Sequence, residues 1–181
     1  VSELRRRKQR EEKPFAVMVA SVASLTPFVE VDEHAERLLT AAQRPIVLLR
    51  KRGACDALLA GVAPGLAWLG VMLPYTPLHY LLWNEAAGRP DGTTWLEAPQ
   101  PLVLVMTSAN PHDEPLVIGD QEAFDRLAGI ADAYLLHDRE IVVRCDDSVA
   151  CQGGAAGELR LIRRARGYTP QAIRLALAEH P

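Results

Sequence analysis

The 181 residues contain only three cysteines, Cys55, Cys145 and Cys151, and no two of them form a Cys-x-x-Cys pair. An odd count at such spacings indicates neither a disulfide framework nor a zinc knuckle, so reduced thiols are expected. No apolar stretch approaches the roughly 20 residues that a membrane helix needs. The N-terminal segment is charged where a signal peptide would be apolar, and a cytoplasmic protein is the expectation. Aromatic residues make up 6% of the chain and none interleaves with its N-terminal basic run, so the stacking surface of a nucleic-acid binder is missing. There is no internal repeat and no low-complexity segment.

What is present suffices for one core. With 49% hydrophobic and 24% charged residues, the chain reads as a single domain over residues 1–181. The net charge of −3 conceals two basic clusters. One holds Arg5, Arg6, Arg7, Lys8, Arg10 and Lys13, the other Arg160, Arg163, Arg164 and Arg166. The Arg5–Arg7 part serves equally well as a solvated helix face. Since both clusters flank apolar strands in an acidic chain, a phosphate-bearing small molecule suits them better than nucleic acid.

The pattern predicts a helix over residues 2–10 with Ser2 as N-cap, a strand over 14–20, a helix over 33–42, and a strand over 45–49 buried on both faces. A strand over 69–73 follows. Thr76 caps a helix with Pro77 at its first position, running to Gly88, and residues 89–99 form a polar loop. Residues 102–106 are a strand and Asp120–Leu127 a helix. Short strands then crowd together over 133–137, 142–144, 148–151 and Glu158–Arg163, with Gly153-Gly154 as a hairpin signal. Alternating helices and strands followed by hairpins imply an α/β fold: a twisted, open, mixed parallel and antiparallel sheet with helices packed on it.

Chemistry is expected where the strand over 102–106 ends, in Thr107-Ser108-Ala109-Asn110, because ligands in open α/β sheets collect beyond strand ends and short polar side chains there reach phosphate oxygens. From the residues alone, Ser108 and Asn110 also suit an ordinary turn that bonds its own backbone. Lys13, before Pro14, also suits a solvated strand gatekeeper. Asp146 and Asp147 are consecutive, so at most one enters a given cleft. His79 reads as a packed helix residue and His112, Asp113 and Glu114 as an exposed turn, with no metal site assigned. Cys145 and Cys151 read as buried strand residues, and Trp68, Trp83 and Trp95 as core or loop anchors that could alternatively flank adenine. Ser24 reads as a neutral polar position remote from all of these.

Several strings occur together and in order: Lys8-Gln9-Arg10 with Lys13-Pro14-Phe15-Ala16-Val17-Met18, Leu73-Pro74-Tyr75-Thr76-Pro77-Leu78-His79, Thr107-Ser108-Ala109-Asn110, Arg144-Cys145-Asp146-Asp147-Ser148-Val149, and Arg164-Ala165-Arg166-Gly167-Tyr168. Spread over residues 4–174, they resemble the YrdC-like domain of the hydrogenase maturation carbamoyltransferases. Threonylcarbamoyl-AMP synthases are wider relatives that share the Lys-x-Arg and Ser-x-Asn elements. The resemblance departs at Glu11, where a proline is usual, and at His112, where a serine is usual. Family members carry a strand before the Lys-x-Arg helix, so the chain reads as a fragment lacking that first strand, with an exposed edge that favours dimers.

The resemblance implies adenylation of carbamate by MgATP to carbamoyl-AMP and pyrophosphate, one step toward the cyanide ligands of a NiFe centre. It implies ATP and magnesium as cofactors, a carbamate or carbamoyl phosphate-derived substrate, and a maturation partner protein that accepts the carbamoyl group. Lys8, Arg10, Ser108 and Asn110 are implied as catalytic, and Lys13, Asp146, Ser148, Arg164 and Arg166 as nucleotide-binding. Guanidinium groups would grip phosphate bidentately and Lys8 would act as a point charge. The alternatives are a double-stranded RNA-binding module and a threonylcarbamoyl-AMP synthase-like module.

Overall fold

Valines at three positions organise the sheet. Val17, Val71 and Val47 sit side by side on β1 (Ala16–Met18), β3 (Trp68–Met72) and β2 (Ile46–Arg50), all fully buried. The computed structural model describes residues 1–10, 12–153 and 158–173. Three further strands, β4 (Leu104–Met106), β5 (Val149–Gly153) and β6 (Glu158–Arg163), complete a six-stranded sheet in the order β4-β1-β3-β2-β5-β6. The β1/β3 and β2/β5 pairs are parallel and the other three are antiparallel. This is the mixed open sheet that the sequence predicts.

The two faces are covered unequally. One carries the larger core, in which Phe15, Val17, Leu39, Val47, Leu49 and Val71 pack together. The helix α2 (Glu33–Thr40) closes it over β2 and β5, opened by an Asp32 carboxylate that accepts from Ala35 N at 2.8 Å. On the other face Met18 and Met72 are buried with Trp83 from α4 (Pro77–Ala86). Thr76 is the N-cap of that helix, as its spacing to Pro77 predicts, and its hydroxyl accepts from His79 N at 3.3 Å. One register step away, Met106, Ala16, Gly70 and Leu48 form a row across β4, β1, β3 and β2. Its centre is small because a Cβ on Gly70 would lie 3.1 Å from Ile46 Cγ2 and 3.4 Å from Ala16 Cβ.

Several expectations are corrected. The first helix, α1 (Ser2–Arg7), ends before residue 10 and Ser2 makes no cap; the turn at Gln9, φ 48°, breaks it. Only Val47 and Leu49 of β2 are buried, because its other face is the half-covered one. The strands expected over 14–20 and 102–106 shorten to β1 and β4. Residues 133–137 and 142–144 are not strands: no ladder reaches them, and Leu135, Val142 and Val143 are 63%, 76% and 70% exposed. β propensity makes a strand only against a partner. Cys145, expected to be buried in a strand, is exposed for the same reason.

The helix α5 (Asp120–Leu127) matches its prediction, with the Glu122 carboxylate accepting from Ile118 N at 3.1 Å. The short helix α3 (Cys55–Leu58) and the single turns Val22–Leu25 and Thr94–Leu96 carry no sequence pattern that announces them. Ser24 is not a neutral position: it is 4% exposed and accepts from Gln100 N at 3.0 Å. Glu11, the Gly154 half of the hairpin signal, and residues 174–181 lie outside the described residues.

Candidate functional site

Lys8 follows directly on α1 and is 5% exposed. Its ammonium donates to the Ser108 carbonyl at 2.5 Å and to Asn110 Oδ1 at 3.4 Å, so a contact spanning a hundred residues joins the first basic cluster to the loop after β4. That loop is self-braced. Ser108 Oγ donates to Asn110 Oδ1 at 2.6 Å, and Asn110 Nδ2 donates to the Glu114 carbonyl at 2.7 Å. Among the described residues no carboxylate pairs with Lys8, and burial pushes its pKa down, helped by the charge of Arg10. An ammonium has three donors and two are directed at the loop. The arrangement suits an incoming anion.

Arg10 stands beside it. Its guanidinium donates to Pro14 O at 2.6 Å, Lys13 O at 3.2 Å and Thr107 Oγ1 at 3.3 Å, and lies 4.9 Å from the centre of the Phe15 ring. Arg5 lies 4.7 Å from that same ring. Burial lowers the pKa of Arg10, and the charges of Arg5 and Arg163 lower it further. Arg163, at the end of the far edge strand β6, is therefore within electrostatic reach of Arg10. The Asp146 carboxylate, 3.6 Å from Arg163, extends the site toward the segment before β5. Two partly buried cations with no carboxylate between them among the described residues cost free energy that a polyanion would offset.

The remaining predicted site residues are arranged differently. Asp146 and Asp147 diverge, as consecutive residues should: Asp147 pairs at 2.8 Å with Arg166. The Arg166 guanidinium also donates to Gln43 O at 3.2 Å and Arg44 O at 2.8 Å and lies 3.6 Å from the centre of the Tyr75 ring. It clamps the C-terminal segment to the β2 side. Ser148 is completely buried; its hydroxyl donates to Arg166 O at 2.9 Å and accepts from Ala165 N at 2.8 Å, so it can act on a ligand only through those residues. Arg164 donates to Gln171 O. Lys13 is exposed, 4.0 Å from an equally exposed Asp113, which His112 Nδ1 also approaches at 3.2 Å. His79 is packed edge-on against Tyr75 at 4.7 Å.

The structure thus brings together Lys8, Arg10, Ser108 and Asn110, with Asp146 at the margin. It adds Phe15, which sequence reasoning did not place in the site, and gives places to Thr107 and Arg163, which the strand-end string and the second basic cluster contain without a role of their own. Phe15 follows Lys13-Pro14, so adjacency was its only signal. The Arg5–Arg7 stretch is not uniformly a solvated face: Arg6 is exposed on Glu3, whereas Arg5 turns inward to four main-chain carbonyls.

A family model described as Sua5, YciO and YrdC, telomere recombination, matches residues 1–165. The chain belongs to the Sua5/YciO/YrdC family. It is 66% identical over 177 residues to carbamoyltransferase HypF2 of Cupriavidus necator, covering 97% of this chain and 22% of that protein. A full-length HypF crystallised in its phosphate- and nucleotide-bound form superposes with a TM-score of 0.78 at 44% identity, over 94% of this chain and 20% of the other. Sua5 of P. abyssi, a double variant, matches with a TM-score of 0.64 at 16% identity over 91% of this chain and 43% of that one, which speaks for the fold alone. The chain spans about a fifth of the length of the HypF proteins it resembles. The stretch it matches is one part of those longer HypF proteins.

Proposed function

We propose that this domain adenylates carbamate within a hydrogenase maturation carbamoyltransferase. A carbamate oxygen attacks the α-phosphorus of MgATP, the bond from that phosphorus to the bridging oxygen breaks, and pyrophosphate leaves with the electron pair. Carbamoyl-AMP remains, ready to pass its carbamoyl group to a maturation partner as the source of the cyanide ligands. The observation that carries the reading is the pair of partly buried cations, Lys8 and Arg10, set against the Ser108–Asn110 loop with no carboxylate among the described residues paired to either. Charge accumulating on departing pyrophosphate is what such a pair stabilises. The likeness to a HypF that binds phosphate and nucleotide supports it.

Magnesium fits this site in a limited way. Ser108 Oγ and Asn110 Oδ1 are hard oxygen donors suited to its hydration shell, and the ion would hold most of its contacts to the triphosphate, whose charge it offsets.

The test is calorimetric titration of the intact carbamoyltransferase with MgATP, together with carbamate-dependent pyrophosphate exchange. Lys8→Met and Arg10→Gln should each weaken binding about ten- to a hundred-fold, the effect of losing a charge-assisted hydrogen bond worth roughly 1.5–3 kcal/mol. Exchange should fall in parallel. Asn110→Ala should lower exchange by a similar factor, but it also opens the brace to Glu114 O, so the two cation variants decide. Parent affinity in both would sink the assignment.

A further inference from the structure

Arg5 lies one helical turn before the cations of the site, and its guanidinium is engaged with backbone. Nε donates to Gly61 O at 2.8 Å, Nη2 to Val62 O at 3.0 Å, and Nη1 to Arg10 O at 2.9 Å and Lys13 O at 3.1 Å. One side chain therefore ties together two stretches of main chain, residues 61–62 and the turn that carries Arg10 and Lys13. The Arg5 carbonyl accepts from Arg10 N at 3.0 Å, and Phe15 N donates to Val62 O at 2.9 Å, so the same join is made from both sides.

The arrangement sets two guanidinium groups on one ring. Arg5 and Arg10 lie on the same Phe15 ring and the charge of Arg5 makes that of Arg10 harder to hold. The carbonyl dipoles and the ring face offset the repulsion, and the result is a fixed direction for the Arg10 guanidinium, pointed at Thr107 on the loop that also holds Ser108 and Asn110.

We propose that Arg5 is the positioning residue of this anion cradle: it holds the carbonyls of Arg10 and Lys13 in place and so aims Arg10, without touching the nucleotide. The proposal rests on the nucleotide-binding reading given above. It follows that the charge of Arg5 is not what matters. A lysine keeps the charge but replaces a flat fork of five donors with a compact head of three that cannot lie over a ring in the same way.

The experiment titrates the intact protein with MgATP and, separately, with inorganic tripolyphosphate, and records thermal stability for each variant. Arg5→Ala and Arg5→Lys should both weaken the two ligands about tenfold. Arg52→Ala, which removes a 2.9 Å side-chain bond to Val29 O outside the cradle, should lower stability while leaving both affinities at the parent value. Arg5→Gln replaces Arg5→Ala if the latter does not fold. Full recovery in Arg5→Lys would overturn the proposal, because charge alone would then suffice. So would parent affinity in Arg5→Ala combined with loss in Lys8→Met, a result that leaves the nucleotide site standing. Parent affinity in both Arg5→Ala and Lys8→Met would remove the cradle itself.

Discussion

His79 shows how one half-buried ring sets a pH dependence. It packs edge-on against Tyr75, and burial pushes its pKa below the usual histidine value, outweighing the nearby Asp147 carboxylate, with Arg166 adding to the depression. The folded state therefore holds the ring neutral while the unfolded chain takes up a proton below about pH 6.5. Stability should fall as pH drops through that value and the loss should be complete once the folded ring also protonates. Denaturant midpoints between about pH 8 and pH 5 should show this slope in the parent and a shallower one in His79→Gln. An equal slope in the two would mean that another group titrates. At this scale the sequence reading identified the packed role of His79 but erred on Ser24 and Cys145, because a single polar or sulfur-bearing residue carries no sign of whether a distant loop will cover it. The direction of Arg5 was illegible for the same reason: the carbonyls that hold it come partly from residues 61–62, in a segment without a pattern.

Elements that closed locally were the ones written most plainly. Thr76, Pro77 and the following Leu-rich turn contain their own start signal, so α4 was predictable to its first residue, and α5 was predictable at both ends. Thr76→Ala should cost about 0.5–2 kcal/mol in stability, as loss of a cap does, and leave MgATP affinity at the parent value. Chemical denaturation paired with calorimetry checks both halves. The segment from 133 to 144 failed because its alternation describes a strand only if another strand lies alongside, and no window of sequence states that. The half-exposed face of β2 was missed in a related way. Periodicity registers that Ile46 and Leu48 are apolar, whereas their exposure depends on how far α4 extends over the sheet.

At the scale of the whole molecule, the fold class followed from the order of elements, and the meeting of Lys8 with Ser108 and Asn110 followed from the family resemblance; spacing alone could not bring residues a hundred positions apart together. Charge belongs to this scale too. A chain of net charge −3 in which, among the described residues, Lys8 and Arg10 alone meet at the Ser108–Asn110 loop should bind a compact polyanion more readily than a long one. Raising salt from about 50 mM to about 200 mM should therefore weaken MgATP binding by much less than the roughly thousand-fold or greater loss expected of a protein neutralising six or more phosphates of duplex nucleic acid. Tight, steeply salt-sensitive binding to double-stranded RNA by the intact protein would reverse that ranking.

The span between Lys8 and the Ser108 carbonyl also has a consequence for synthesis. A ribosome delivers the ammonium first and its acceptors about a hundred residues later, at some 5–20 residues per second. Until β4 emerges to pair with β1, Lys8 has water for its partner, although Arg5 can already reach the carbonyls of residues 61–62. The β2/β5 pair waits longer still, from Ile46 to Val149. The nascent domain must therefore spend seconds as an incomplete sheet, with apolar strands waiting for neighbours not yet made, and Lys8 meets Ser108 and Asn110 long before the last strand, β6, brings Arg163 into reach.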